Sequence, residues 1–304
     1  MVTRLSTSAC QRDRDRIRCA LQYVEDHLED PLTLASVAQQ CHISRFHFHR
    51  LFHEAVGETL SQYIRRLRIE RSAFHLIYSS DTVEQLAAAA GYESTPAFVR
   101  AFKASFKIAP SLYRKVNCTG FGPKDERHDD RPSAYLELFS PPVYRLFPAR
   151  RVAYVRRLGV YKHAARAAWA ALNAHKGLEP FIADRHACIG IRHDHPLITA
   201  ESQCRFDACV VVPDEVVPSG DVGIRLLKAG RYAAFQQRDL ADDDERIYHA
   251  EYYQWLLSRA ENPIDAAVLV QYGGHRRLFT PEINIALTST ARTSRQSPAD
   301  CCYI

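Results

Sequence analysis

The sequence predicts an all-α double helix-turn-helix domain at the N-terminus, followed by an α+β domain built of two pseudo-twofold-related strand–helix–strand halves. Three observations carry this. Residues 33–115 repeat themselves with a period of 49–50 residues. Residues 145–191 are echoed at 225–271, at an offset of 80. Between the two repeats lies NCTGFGPKDERHDDRPS, rich in Gly, Pro and charge. Repeats of this length mark one supersecondary unit used twice, and the stretch between them reads as an exposed connection between independently folding parts.

In the first repeat Thr33 meets Thr82, Val37 meets Leu86, Phe48 meets Phe98, Arg50 meets Arg100, Phe52 meets Phe102 and Tyr63 meets Tyr113. Each unit is a short apolar helix (32–40 or 83–90), a polar turn and a second helix. Ser44 and Ser94 stand where that second helix needs an N-cap. Two short helices joined by a tight turn form a helix-turn-helix, whose second helix reads a major groove. Upstream, residues 16–28 form a helix with Ile17, Ala20, Leu21, Val24 and Leu28 on one stripe. Thr59 to Ser79 joins the units as a third helical stretch, with Arg65, Arg66, Arg68 and Arg71 interleaved among its apolar positions. A rod of about 20 helical residues spans roughly 30 Å, close to the 34 Å or so of one DNA turn. One chain would then read two successive major-groove segments.

Charge agrees with this. Residues 43–115 hold 11 Lys/Arg against 6 Asp/Glu, a net +5 that equals the net charge of the whole chain. A basic surface confined to one domain is an electrostatic footprint for nucleic acid. On the helix after Ser44, Phe48, Leu51 and Phe52 recur at core spacing, while Arg45, Phe46, His49 and Arg50 face water. Arg bridges guanine O6 and N7, and an aromatic packs on a thymine methyl. The four arginines between the units are candidates for phosphate contact or a solvated face.

This stretch resembles the DNA-binding domain of the AraC/XylS family of transcription regulators. The resemblance rests on SRFHFHRLF (44–52), GETLSQYIRRLRIERS (57–72), Ile77, GYES (91–94), AFVRAFK (97–103) and FKIAPSLYR (106–114). It places base-facing positions at Phe46, His49 and Arg50, then at Thr95, Pro96, Val99 and Arg100. Pro96 and Val99 donate no side-chain hydrogen bond, so the second unit is expected to read shape and methyl groups, with Arg100 its polar contact. The resemblance implies double-stranded promoter-operator DNA and RNA polymerase as partners. One departure is Lys107, where the family has a glycine suited to a left-handed C-cap.

In the second repeat, RLFPARRVAYV (145–155) lies over RLLKAGRYAAF (225–235). Each segment is patterned as a strand pair, followed by a helix (160–175, 244–258) and a strand (187–191, 267–272). Further strands are expected at 135–139, 206–212 and 283–287. This region, 133–290, resembles the GyrI-like effector-binding domain through PARRVAYVRRLGVY (148–161), IGIRHDHPLIT (189–199), CRFDACVVVP (204–213), AGRYAAF (229–235) and Trp255-Leu256. It implies a small-molecule effector held between the halves, with multidrug sensing the family's theme. Tyr154, Tyr161, Trp169, Tyr232, Trp255, Val270 and Tyr272 are the candidate effector residues, all but Val270 offering aromatic walls. Val270 stands where the family carries a glutamate, so the effector is expected to be hydrophobic or aromatic and neutral or less cationic, or else a cation held by Trp and Tyr faces alone.

The division is a flexible tail over 1–15, a DNA-binding domain over 16–116, a linker over 117–132, the effector domain over 133–290 and a tail over 291–304. No Ser-His-Asp arrangement, phosphate loop or metal set is legible. His49 and His53 lie four apart, but no third ligand completes them. No cofactor, catalytic residue or metal is therefore expected. Two other functions remain open: a ligand-hydrolysing or ligand-sequestering protein with a DNA-binding appendage, whose acid/base residues would be Asp194, Asp207 or Glu251 with a tyrosine, and a C-terminal protein-docking module. The nine cysteines show no CxxC pair, no run of 18 apolar residues spans a membrane, and residues 1–15 lack a signal-peptide core. A cytoplasmic regulator is the expectation.

Overall fold

The structure is a computed structural model. It describes residues 2–117, 141–184, 187–217, 219–236, 252–253, 255–259, 261, 263–264, 267–271 and 282–288. The N-terminal part is α1 (Val2–Asp26), α2 (Leu34–Gln40), α3 (Arg45–Val56), α4 (Leu60–Tyr78), α5 (Val83–Ala89), α6 (Thr95–Phe106) and α7 (Pro110–Asn117). Helices α2–α3 and α5–α6 are the two expected helix-turn-helix units, and α4 joins them. Thr33, Thr59 and Thr82 close capping boxes with Ser36, Gln62 and Gln85, satisfying two orphan N–H groups each. Ser44 and Ser94 hold the N-cap positions of α3 and α6, yet neither side chain accepts a cap hydrogen bond.

Residues 2–15, expected as a tail, continue α1. From Gln11 onward the helix is held by polar and distant partners. Gln11 and Arg18 donate to Gly220 O at 3.0 and 3.1 Å, and Arg18 also donates to Val222 O. Such anchors leave no apolar periodicity for the sequence to display.

Lys107 adopts a left-handed conformation at the C-cap of α6, with φ 66°, as Gly57 does at the C-cap of α3 with φ 82°. A side chain there costs about 1–2 kcal/mol, partly offset by the flexibility a glycine brings to the unfolded chain. Lys107→Gly should therefore raise the unfolding free energy by about 0.5–1 kcal/mol in urea titration. Unchanged or lower stability would contradict the strain.

The second part contains β1 (Val143–Phe147), β2 (Arg150–Leu158), α8 (Tyr161–Asn173), α9 (Glu179–Ala183), β3 (Cys188–Arg192), β4 (Arg205–Val211), β5 (Gly223–Leu227), β6 (Gly230–Gln236), β7 (Val268–Gln271) and β8 (Glu282–Leu287). The eight strands form one antiparallel sheet in the order β1-β6-β8-β7-β3-β4-β2-β5. Exchanging β1 with β5, β2 with β6, β3 with β7 and β4 with β8 reverses this order and reproduces it, so the offset-80 repeat is a pseudo-twofold with its seam at β3–β7. The pairing differs from the expected hairpins in one respect. β1 pairs with β6 and β5 pairs with β2, so each half lends its first strand to the other. The strand pattern defines two apolar segments and a turn, but not which edge the first segment joins.

α8 packs on β2 and β4 over Ala153, Val155, Phe206, Ala208 and Val210. Residues 252–253 and 255–258 are helical on the other half. A further cluster joins the two parts of the chain. Phe74, Tyr78, Leu86, Phe98 and Phe102 of the helical part share it with Phe235, Tyr253, Val270 and Ile283. The two parts thus share one core cluster in addition to clusters of their own. The reason lies in α4, of whose 19 residues 11 are buried, more than a one-sided stripe supplies. The expected strand over 135–139, the tail over 291–304, Glu251 and Tyr272 lie outside the described residues, as does most of the linker over 117–132; Asn117 is the last residue of α7.

Candidate nucleic-acid interface and ligand face

On α3, Phe48 and Phe52 are fully buried, which turns Arg45, Phe46, His49 and Arg50 outward. Phe46 is 81% exposed, with the Arg45 guanidinium 5.4 Å from its ring centroid. On α6, Phe98 and Phe102 are the buried pair. Pro96 and Arg100 are exposed, Thr95 is half-buried, and Val99 packs partly on the shared core.

Of the four arginines on α4, three hold the protein together. Arg66 pairs with Glu58 at 2.6 Å, Arg71 with Glu29 at 2.7 Å, and Arg68 donates to Leu28 O and Asp30 O at 2.9 and 2.6 Å. Arg68 thereby covers carbonyls just beyond the C-terminus of α1. Arg114 does the same beside α4, donating to Leu76 O and Asp81 O. Arg65 is exposed and remains a phosphate candidate.

The sheet face away from α8 carries Val152, Tyr154, Ile189, Ile191, Cys209 and Leu269. Set among them is a buried ion cluster. Asp207 accepts from Arg156 at 2.7 and 2.9 Å and from Arg225 at 3.0 Å, and its Oδ2 lies 2.7 Å from His193 Nε2. Asp194 accepts from Arg205 at 2.6 Å. The third carboxylate is Glu25, from α1 of the helical part. It accepts from Arg205 at 2.9 Å, from both terminal nitrogens of Arg156 and from Tyr63 OH at 3.3 Å, with Arg225 3.9 Å away. Three guanidiniums thus meet three carboxylates. Burial would raise the Glu25 and Asp207 carboxyls, but the facing arginines and His193 hold both below the usual range. Burial lowers His193 below its ordinary value, against the pull of Asp207.

Cavities flank this cluster on either side of α1. One of about 480 Å³ has Leu67, Phe74 and Ile198 on its walls together with charged groups of both signs, Arg205 and Arg225 against Asp30 and Glu70 among them. One of about 880 Å³ runs between α1, α3 and the sheet, with Arg50, Leu51, Tyr154 and Arg156 on its walls. Arg50 of α3 and the Tyr154 face of the sheet therefore border the same space.

The expected effector residues divide. Tyr154 and Tyr232 lie on the face away from α8, with Arg156 and Arg225 5.9 and 5.7 Å from the Tyr154 ring centroid, and Tyr232 5.1 Å from Phe147. Tyr161 is bound into the opposite core, its hydroxyl donating to Asp194 O at 2.6 Å. Trp169, on α8 itself, packs partly buried against the core beneath that helix, and Trp255 packs edge-on against Phe235 at 5.7 Å. Val270 is 1% exposed in the shared core, since its partner across β3 is Gly190; its neighbours Leu269 and Gln271 face the other way. A carboxylate at 270 would not meet a ligand on the Tyr154 face, so the inference of a neutral effector from Val270 falls. The alternation of a strand decides this, and a shift of one residue inverts it.

Asp194 and Asp207, the acid/base candidates, are both bound by arginines. Sequence reasoning missed Glu25, Arg156, Arg205 and Arg225. The available signal was Asp207 itself, a charged residue within the apolar strand RFDACVV, which demands a partner. Among the described residues no helix is long and apolar enough to cross a membrane.

A helix-turn-helix domain model matches residues 37–116, and a GyrI-like small molecule binding domain model matches residues 141–287. The multiple antibiotic resistance protein MarA of Escherichia coli K12 is 35% identical over 108 residues, covering 36% of this chain and 85% of MarA. The right origin-binding protein of the same organism is 32% identical over 129 residues, 42% of this chain and 43% of that protein. Among solved structures, a transcriptional regulator from Chromobacterium violaceum with an AraC-type DNA-binding domain is 28% identical, covering 34% of this chain and 93% of that one, with a TM-score of 0.33.

Proposed function

The chain belongs to the AraC/XylS family of DNA-binding transcription regulators and carries a GyrI-like domain, and from that premise we propose that it reads a two-segment operator with α3 and α6 under the control of a small molecule. The observation that carries this reading is the pair of outward faces on two helices connected through α4: Arg45, Phe46, His49 and Arg50 on one, and Pro96 and Arg100 with the half-buried Thr95 and Val99 on the other. At 1.5 Å per residue the 19 residues of α4 span about 28 Å, which suits successive major-groove segments. Arg50 and Arg100 would read bases, Phe46 a thymine methyl, and Arg65 a phosphate.

The effector would lie against the sheet face of Tyr154 and Tyr232. It acts by favouring one arrangement of the helical part on that face over another. The protein works without catalysis, in the cytoplasm, and delivers its signal to RNA polymerase. The bound state of Asp194 and Asp207 speaks against their use as acid or base.

Fluorescence anisotropy against duplex DNA over a salt series tests the reading. With about six phosphate contacts, affinity should fall roughly a thousandfold between 50 and 200 mM salt. Arg50→Ala and Arg100→Ala should each weaken binding to the selected operator by about 10- to 100-fold, as expected for one bidentate base contact. A flat, weak curve in wild type would sink the regulator reading.

A further inference from the structure

We propose that the arginine cluster on the sheet is a binding site for an organic anion, and that Glu25 of the DNA-binding part occupies it as an internal stand-in for the ligand's carboxylate. The inference rests on the regulator reading above and deepens it by naming the ligand's charge.

Without Glu25, the sheet offers Arg156, Arg205 and Arg225 against Asp194 and Asp207, a buried excess of one positive charge. The guanidiniums of Arg156 and Arg205 converge on the Glu25 carboxylate, and that of Arg225 stands 3.9 Å from it. This convergence marks where a carboxylate is best held. Arg225 also keeps a buried Nε without a partner. Beside it opens the cavity of about 480 Å³, where Leu67, Phe74, Ile198 and Ala267 form apolar patches among charged side chains, Arg71 and Lys228 against Asp26, Glu29, Asp30 and Glu70. An apolar body carrying a single carboxylate fits the guanidiniums and these patches, while Asp26, Glu29, Asp30 and Glu70 disfavour any further negative charge. An organic cation would meet the guanidiniums with like charge.

Exchange is also energetically available. Removing one partner of a buried ion pair is severe because it leaves a bare charge. A ligand carboxylate replacing Glu25 leaves none, since the same guanidiniums are compensated before and after. Glu25 meanwhile would return to water on a helix whose Ile17, Ala20 and Val24 pack with Phe48 and Phe52 of α3. Ligand binding at the sheet is thereby tied to the placement of the reading helix.

The test is calorimetric titration of the full chain with 2-naphthoate, neutral 2-naphthamide and cationic 2-naphthylmethylammonium. Wild type should bind the anion at least tenfold more tightly than the amide, and the ammonium least. Glu25→Gln, which removes the competitor's charge, should bind naphthoate at least tenfold more tightly than wild type. Should Glu25→Gln prove too loose to titrate, naphthoate should raise its melting temperature by more than it raises that of wild type. Arg225→Gln in the otherwise native chain gives an independent arm and should weaken naphthoate at least tenfold. Equal or better binding of the amide or ammonium, no naphthoate binding to either protein, or affinity indifferent to both Glu25→Gln and Arg225→Gln overturns the proposal. DNA anisotropy separates the two failures. Salt-dependent DNA binding with no preference for the anion removes this inference alone, while Glu25-dependent anion binding with a flat DNA curve removes the regulator reading alone.

Discussion

Asp207→Asn should destabilise the protein by about 3–5 kcal/mol, the usual result of breaking a buried ion pair from one side. The carboxylate is 0% exposed and neutralises Arg156 and Arg225 at once. The amide keeps the shape and loses the charge, leaving those guanidiniums to Glu25 alone. Thermal unfolding should show a drop in melting temperature of roughly 10 °C. The pH dependence has a definite sign. The carboxyl of folded Asp207 lies well below its ordinary 3.8, so below that pH the unfolded chain binds the extra proton. Wild type keeps the full contribution above about pH 4 and loses it as pH falls further. Asp207→Asn should show a shallower acid decline. A loss under 1 kcal/mol at pH 7 would mean that water reaches the cluster and that it holds little energy.

Phe74→Ala is expected to lower stability by about 3–5 kcal/mol, the range for a large aromatic removed from a core. It should also divide the unfolding of the chain. Phe74 sits on α4 and is 4% exposed. Its ring lies 4.7 Å from Tyr78 and 5.2 Å from Tyr253, which stack on each other at 4.8 Å. Tyr78 OH is also 2.9 Å from His195 Nε2, and burial lowers His195 to about 3, so the imidazole is neutral there. With this aromatic contact in place, calorimetry of wild type should give one cooperative transition. The cavity left by the substitution should uncouple the sheet from the helical part and yield two. Two separate transitions in wild type would refute the shared core.

The contrast between Val24 and Glu25 indicates how far the sequence reaches. Val24 falls on the apolar stripe of α1 and reads correctly as core. Glu25, one position on, reads as a wet-face carboxylate, because nothing within a few residues of it is its partner. Arg156 and Arg205 lie 131 and 180 positions away. The arginines of α4 follow the same logic. Their spacing suits a basic face for phosphate, yet Arg66, Arg68 and Arg71 bind groups of the protein itself. For Tyr154 and Tyr161, both aromatic and near the expected seam, only the sheet decides that one lies with the arginines and the other in the opposite core.

By itself the sequence determined the two helix-turn-helix units, the connecting helix, the pseudo-twofold of the sheet and the family. Each follows from periodicity and repetition, where backbone geometry converts spacing along the chain into a buried face. The tertiary structure alone decided that α1 reaches back to Val2, that the halves exchange β1 and β5, that Val270 turns toward the shared core, and that Glu25 enters the arginine cluster. These outcomes depend on which distant group removes an exposed edge or a buried charge from water. That competition is settled by packing and desolvation across the whole molecule, and residue spacing carries no record of it.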